Sequence, residues 1–403
     1  MRVMVHLPLV SAFFGRFISS AGVLALNITL TRKLDLIETG EFFGAFAVLM
    51  GVSILLQFGM PTVILRTTSK NNQSSEELEA LLSRSLSTIT LFSLLISAVW
   101  IITFGMRGSL HSPMALVFLA IIPVACMGAI SSFLKAQKHP GWGGFWEAGI
   151  LSLIGTGAVF LFSPNSAISA WFVFTASCWI GMFASFFQVG LKFIRDIIRP
   201  RLDLSLIIEG RYLCASTSVA YLSVWGGVII STIILSHEST AALNAILRTL
   251  APLQFLIMTI DFYVAPKFSS CTKDSTIGIF QRARFACVVL SAPYLAIVLL
   301  FPSQFLSFVY GDDYAIYATH LQIIMLGIFI QLLLGPTGIL LNMMRKDRTM
   351  LALMILKASI YLIGCVVLAS RFGLIGIPIS LSASIMIQSI AKYIIARSHY
   401  LQR

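Results

Sequence analysis

The chain has 403 residues, of which 58% are apolar and 11% charged, against roughly 25% charged in a soluble domain. A water-soluble fold this apolar could not cover its surface with polar groups, so soluble globular and disordered classes are excluded and a bilayer is the solvent that fits. The net charge of +12 points to topology and anionic phospholipid headgroups, not to nucleic acid, because no basic domain stands outside the apolar segments.

A span needs about 20 mostly apolar residues. In chain order such stretches fall at 8–31, 42–65, 85–105, 114–134, 144–163 and 168–190, then at 213–236, 240–265, 284–303, 317–343, 350–370 and 373–396. The first is too long for a cleaved signal peptide and is interrupted by Arg16, so it reads as a retained span. Gly59-Met60-Pro61, Pro123, Pro252 and Gly335-Pro336 interrupt their spans and mark places for bends. Pro140–Gly144 reads as a glycine-rich turn just before Glu147. Cys126, Cys178, Cys214, Cys287 and Cys365 lie in or beside apolar segments and Cys271 in a loop; no CxxC pair or metal spacing occurs.

Lys and Arg divide unevenly between alternate loops. One side holds 21 of them, including Arg66, Arg84, Lys135, Arg199, Arg345 and Lys392, and the other holds 4, namely Arg32, Lys33, Arg107 and Arg371. The positive-inside rule then puts both termini in the cytoplasm and makes the number of spans even. The longest cytoplasmic connection, 191–212, divides the chain into similar halves, each with a basic turn after its fourth span. The expected fold is all-α and integral to the membrane, with about twelve transmembrane helices in two six-helix lobes around a central cavity. The N-lobe is 1–198 and the C-lobe 199–403. Parallel six-helix repeats are a transporter arrangement with the substrate site between the halves.

An ionisable group deep in a span costs roughly 2.5–3.5 kcal/mol on insertion scales and needs a reason. Arg16, Arg248 and Lys357 lie that deep, all are cations, and no carboxylate is near them in sequence at matching depth. Polar stripes accompany them: Arg16, Ser20, Asn27 and Thr31; Asn244, Arg248 and Thr259; Lys357, Tyr361 and Gly364. Helical periodicity puts each set on one face. Two readings stand for each cation, a wet cavity or a side chain snorkelling to the headgroups. Asp261 and Glu147 are candidates for proton or sodium coupling, although a carboxylate so placed is more often a hydrated acid paired with a neighbouring base, as at Asp261, or an interfacial acid, as at Glu147. No catalytic triad spacing and no phosphate-cradling loop is present.

Several short stretches resemble a known family. Gly40-Glu-Phe-Phe-Gly-Ala-Phe-Ala through Phe58-Gly59-Met60-Pro61 and Arg66, Phe301 through Gly311-Asp-Asp-Tyr314, Gly335-Pro336-Thr through Lys346, and Phe372-Gly373-Leu-Ile-Gly376 resemble the polysaccharide and O-antigen repeat-unit flippases of the MOP (MATE-like) exporter superfamily. The resemblance covers the whole length. It implies two six-helix lobes that alternate between openings, in the plasma (inner) membrane. The implied activity is moving an undecaprenyl-pyrophosphate oligosaccharide, beside glycan polymerase or chain-length machinery and without a cofactor. Arg16, Arg248 and Lys357 are the positions that fit a pyrophosphate site. Ser20, Asn27, Tyr221, Trp225, Asn244 and Tyr361 are the polar and aromatic groups suited to sugar. Rival readings are a cation-coupled small-molecule antiporter of the same superfamily, which would need acidic cavities, and a membrane glycan polymerase or ligase, which would need a large external loop.

Overall fold

The structure is a computed structural model. It describes residues 2–69, 75–106, 108, 112–137, 139–270, 273–344 and 346–398; Cys271 falls outside them, as do the side chains up to Arg16 in the first helix. The described residues form helices and no strand. In order these are α1 (Arg2–Lys33), α2 (Leu36–Leu56), α3 (Met60–Ser69), α4 (Ser75–Met106), α5 (Phe118–Ala136), α6 (Pro140–Phe145), α7 (Ala148–Phe162), α8 (Ala167–Val189) and α9 (Ile194–Ile198). They continue with α10 (Leu204–Ile234), α11 (His237–Thr249), α12 (Ala251–Ser270), α13 (Lys273–Leu300), α14 (Pro302–Tyr310), α15 (Ala318–Leu334), α16 (Thr337–Met343), α17 (Asp347–Phe372) and α18 (Gly376–Ala396).

Joining α2 with α3, α6 with α7, α11 with α12 and α15 with α16 leaves twelve passes, with α9 and α14 as short connectors. Nine stretches of the described residues are long and apolar enough to span. The last of these, 347–396, contains both α17 and α18. Helices form because hydrocarbon offers no partner for a free N–H or C=O, and a helix bonds its own. The chain is a multi-pass membrane protein.

Several boundaries differ from the sequence expectation. α4 begins ten residues before 85, and α10 nine before 213. The connection expected at 191–212 is therefore shorter than that. Apolar windows detect only the part of a helix that lies in hydrocarbon and miss polar turns that continue into water. Pro140–Gly144, expected as a turn, is the start of the short helix α6, where Pro140 supplies a first-turn residue that needs no N–H partner. Pro123 sits inside an unbroken α5.

The chain divides into two compact units, Met1–Tyr221 and Leu222–Arg403, and the boundary falls within α10. In the first unit, α1 packs on α6 and α7, and α5 packs on α3, α4, α6 and α8. Phe42 sets its ring 5.3 Å from Trp171 and 5.8 Å from Phe174. The short connector before α10 is tied to α4: Arg84 pairs with Asp203 at 3.3 Å, and the Asp203 N–H donates to Thr88 Oγ1 at 3.2 Å. Hydrogen bonding from the Ser205 hydroxyl, then the Ser205 N–H and the Arg84 charge, hold the Asp203 carboxyl below the usual carboxylate range.

The break between α2 and α3 explains why α10 starts inside the first unit. Phe58 and Gly59 both have positive φ, 48° and 73°. A Cβ on Gly59 would stand 2.5 Å from the Gly210 carbonyl oxygen, and one on Gly210 would collide with the Phe58 carbonyl. Two backbones therefore touch where side chains are absent, the membrane form of close helix packing. Near the middle of α10, the Tyr221 hydroxyl donates to the Ala47 carbonyl.

In the second unit α17 packs on α18, α15 on α13 and α18, and α12 on α13 and α16. Gln388 Nε2 donates to the Leu353 carbonyl at 3.0 Å, which sets the register of α18 against α17. Tyr361 is fully buried, and its hydroxyl accepts from the Gly227 N–H at 3.1 Å.

Gly210→Ala should lower the thermal stability of the detergent-solubilised protein by about 1–3 kcal/mol, the usual cost of overpacking. Gly278→Ala is the control, because nothing lies within 4 Å of the Cβ it would add, and it should leave the melting temperature unchanged. Equal melting curves for the two variants would refute the backbone contact.

Candidate functional site

The second unit contains a cavity of about 180 Å³. Its polar wall comes from five helices. Trp225 lies on α10, Asn244 and Arg248 on α11, Gln254 on α12, Gln331 on α15 and Lys357 on α17, with apolar neighbours such as Leu381 and Ile385 from α18.

The break between α11 and α12 places its central charge. α11 ends at Thr249, and Pro252 follows as the second residue of α12. A proline there loses no needed hydrogen bond, whereas deeper in a helix it would. The freed carbonyls are taken up locally. Leu250 N–H reaches Leu247 O at 3.2 Å, and the Tyr294 hydroxyl donates to Thr249 O at 2.6 Å. Arg248 occupies the last turn of α11, where the helix dipole favours a cation. Its guanidinium carbon stands 4.2 Å from the centre of the Trp225 ring, within cation–π range.

Asn244 is one turn earlier on the same helix and is 0% exposed. Neither its carboxamide oxygen nor its nitrogen has a hydrogen-bond partner among the described residues. A buried amide without partners costs roughly 1–3 kcal/mol, and this one lines the cavity. Lys357 lies ten residues into α17, or about 15 Å along the helix, and brings the second cation to the same wall. The arrangement suits an anion: two cations, an amide that donates and accepts, and an aromatic face, in surroundings of low dielectric.

Of the residues singled out in the sequence, Trp225, Asn244, Arg248 and Lys357 line this one cavity. Others sit elsewhere. The Arg16 side chain lies outside the described residues. Ser20 is exposed. Asn27 is 0% exposed inside the first unit, again without a described partner for its amide. Tyr221 and Tyr361 use their hydroxyls on backbone within their own units. Glu147 pairs with Lys135. Asp261 is half-buried on α12. Thr259 is exposed, its hydroxyl bonded to Phe255 O; helical periodicity does not carry across the break at Leu250, so it leaves the Asn244–Arg248 stripe. Ser223, Gln254 and Gln331 line the cavity without standing out in the sequence, since single polar residues carry no periodic signal. Lys392, counted with the C-terminal charges, is a half-buried residue of α18.

A polysaccharide biosynthesis protein family profile matches residues 19–271. The chain belongs to that family. The match takes in most of the first unit and α10 to α12, and so covers Trp225, Asn244 and Arg248. No curated protein matches the chain directly by sequence. Among solved structures, the lipid II flippase MurJ in an inward closed conformation is similar over 97% of this chain and 87% of its own, at 13% identity and a TM-score of 0.71. A MOP superfamily transporter from Pyrococcus furiosus, described as having a binding pocket of reverse polarity, is similar over 98% and 95%, at 12% identity and 0.57. A multidrug resistance MATE family transporter in its inward-facing conformation is similar over 95% and 94%, at 14% identity and 0.56. At these identities the likeness is one of fold, and the fold is that of the MOP superfamily transporters.

For this family member, Asn244→Leu should stabilise the ligand-free protein by about 1 kcal/mol or more, because an apolar group of similar size needs no partner. The measurement is its melting temperature, which should rise. A lowered melting temperature would mean that the amide is bonded within the fold and not directed at a ligand.

Proposed function

We propose that the protein is a flippase that translocates an undecaprenyl-pyrophosphate-linked oligosaccharide across the plasma (inner) membrane by alternating access, with both termini cytoplasmic. The observation that carries this reading is the cavity holding Arg248, Lys357 and the unpartnered Asn244 amide. A pyrophosphate cannot cross hydrocarbon unescorted, and a guanidinium fork matches its oxygens. The cavity size favours a headgroup over a glycan, because about 180 Å³ is below the roughly 300–1,000 Å³ of pockets that enclose drug-sized ligands. Trp225 then offers its face to the first sugar. In this reading the halves 1–198 and 199–403 are the moving parts, Asp261 and Glu147 are the candidates for proton or sodium coupling, and anionic phospholipids and glycan polymerase machinery are its neighbours.

The sign of the charge weighs against an antiporter for cationic compounds, since the cavity wall carries Arg248 and Lys357 and no acid among the described residues. A polymerase or ligase has no support from any cluster of groups suited to bond making in this cavity.

Arg248→Ala should abolish glycan export while the protein still inserts and folds, and should weaken pyrophosphate binding tenfold or more, since a hydrogen bond to a charged group is worth about 1.5–3 kcal/mol. Arg248→Lys should retain part of the activity, because it keeps the charge and loses the fork. Surface glycan and binding to the purified protein are the measurements. Unchanged export by the Ala variant ends the pyrophosphate reading.

A further inference from the structure

A second cavity of the second unit, of about 220 Å³, lies between α13 and α15, which pack on each other. It is separate from the polar one. α15 lines the polar cavity with Ile328 and Gln331 and this one with Phe329 and Leu332, so the two occupy different faces of one helix. Two fixed points set the register of α13 against α15. At one end, Gln322 Nε2 of α15 donates to the Leu299 carbonyl of α13 at 3.0 Å. At the other, Gly335 follows α15 with a φ of 78°, and a Cβ on it would stand 2.9 Å from Cβ and Cγ of Arg284. The two helices are therefore antiparallel. Val288, Ser291, Leu295 and Leu299 line the cavity from α13, and helical spacing puts Arg284 on the same face, one turn before Val288.

The lining suits hydrocarbon. Its one polar residue is Ser291, whose hydroxyl already donates to the Val288 carbonyl at 3.2 Å, so no polar group is left for a sugar or a phosphate. Around the cavity, Val289, Leu290 and Ile297 of α13 and Leu326 and Leu333 of α15 are exposed, and both helices belong to stretches long and apolar enough to span. What reaches the cavity is thus the bilayer. From Val288 to Leu299 the helix rises about 17 Å, roughly half of the ~30 Å hydrocarbon core, which is the depth of the acyl chains of one leaflet. Arg284 stands at the end of that stretch where a headgroup belongs. It is exposed and makes no ion pair among the described residues. A guanidinium at the foot of an apolar groove complements an anionic headgroup, and its fork bonds phosphate oxygens.

We propose that the cavity between α13 and α15 binds one anionic glycerophospholipid, with an acyl chain along residues 288–299 and its phosphate on Arg284. The far end of the groove is bridged by the Gln322–Leu299 bond. A chain of one leaflet's length fits such a closed groove, whereas the much longer tail of a polyprenyl carrier needs an open end. The bound chain supplies dispersion contacts that the small side chains of Ala292 and Ala296 leave unmade, so the lipid joins α13 to α15. The site is independent of whatever the Arg248 cavity carries, and it makes the stability of the second unit depend on the headgroups of the surrounding bilayer.

The test is native mass spectrometry of the full-length protein, delipidated in detergent and titrated with phosphatidylglycerol or with phosphatidylcholine of the same chains. The first lipid bound should favour phosphatidylglycerol about fivefold, the weight of one basic residue against an anionic headgroup. Arg284→Gln should remove that preference. Arg282→Gln, which alters a cation on another face of α13, should keep it. Ala296→Phe plugs the cavity and should abolish the first binding event for both lipids. Ala292→Leu is the milder plug should that variant not fold, and it should weaken both lipids alike. Phosphatidylglycerol should raise the melting temperature of the unaltered protein more than phosphatidylcholine does, and should raise that of Arg284→Gln no more. An unaltered preference in Arg284→Gln overturns the proposal, as does undiminished binding in the plugged variants. Equal losses in Arg284→Gln and Arg282→Gln also overturn it, since they would mean diffuse surface charge. Undecaprenyl phosphate is the competitor that separates the two lipid classes: failure to displace phosphatidylglycerol at equal concentration supports the site, and displacement assigns the groove to a carrier tail and overturns it.

Discussion

Hydrocarbon supplies no hydrogen bonds, and every feature of this protein follows from that deficiency. Each pass is a helix because a helix satisfies its own backbone. Where a helix breaks, something nearby must bond the freed groups. At Leu250 it is Tyr294 donating to the Thr249 carbonyl. At Gly59 it is a local turn, with Met60 N–H on Gln57 O at 2.8 Å, held against α10 by a backbone contact that tolerates no Cβ. Breaks are thus confined to positions where protein surrounds them, and these are also the positions at which polar chemistry can be placed at membrane depth.

The break between α11 and α12 has the most direct chemical consequence. It ends one helix at mid-segment and sets an arginine in the last turn, where the peptide dipoles favour positive charge. The Trp225 ring then covers the guanidinium. Asn244, one turn back, is carried to the same wall with its amide unanswered by other described residues. A stability cost is accepted at the site where a ligand is expected, in keeping with the general tension between stability and function. The polar wall is small, which suits a compact anionic head better than an extended chain of sugars.

Charge in the second unit is spread over several helices. Arg248 and Lys357 share the cavity, and Lys392 lies on α18 beside Gly338 of α16. The small residues that permit tight packing, such as Gly227 beside Tyr361 and Gly364 beside Ser380, keep these helices close and the positions of the charges definite.

The solvent, the helical class and the order of the passes can be read from residues alone, because apolar runs of span length have one stable form in a bilayer. So can the sign of the charge within the helices: Arg248 and Lys357 stand in apolar segments where a cation needs a reason. Other features cannot. The extra turns of α4 and α10 carry charges, Glu76, Glu77, Glu79 and Arg84 in one and Glu209 and Arg211 in the other, that break the apolar run. Lys392 reads as a topological charge because it is one turn from a helix end, and Thr259 reads as part of a stripe that the break at Leu250 interrupts. Periodicity describes the faces of one unbroken helix and holds no information about which helices adjoin. That Trp225, Asn244, Arg248 and Lys357 come from three different helices to one cavity was decided only by the packing of α10, α11, α17 and their neighbours, since the register between helices is fixed by close contacts and bonds such as Gln388 to Leu353 that pair residues far apart in the chain.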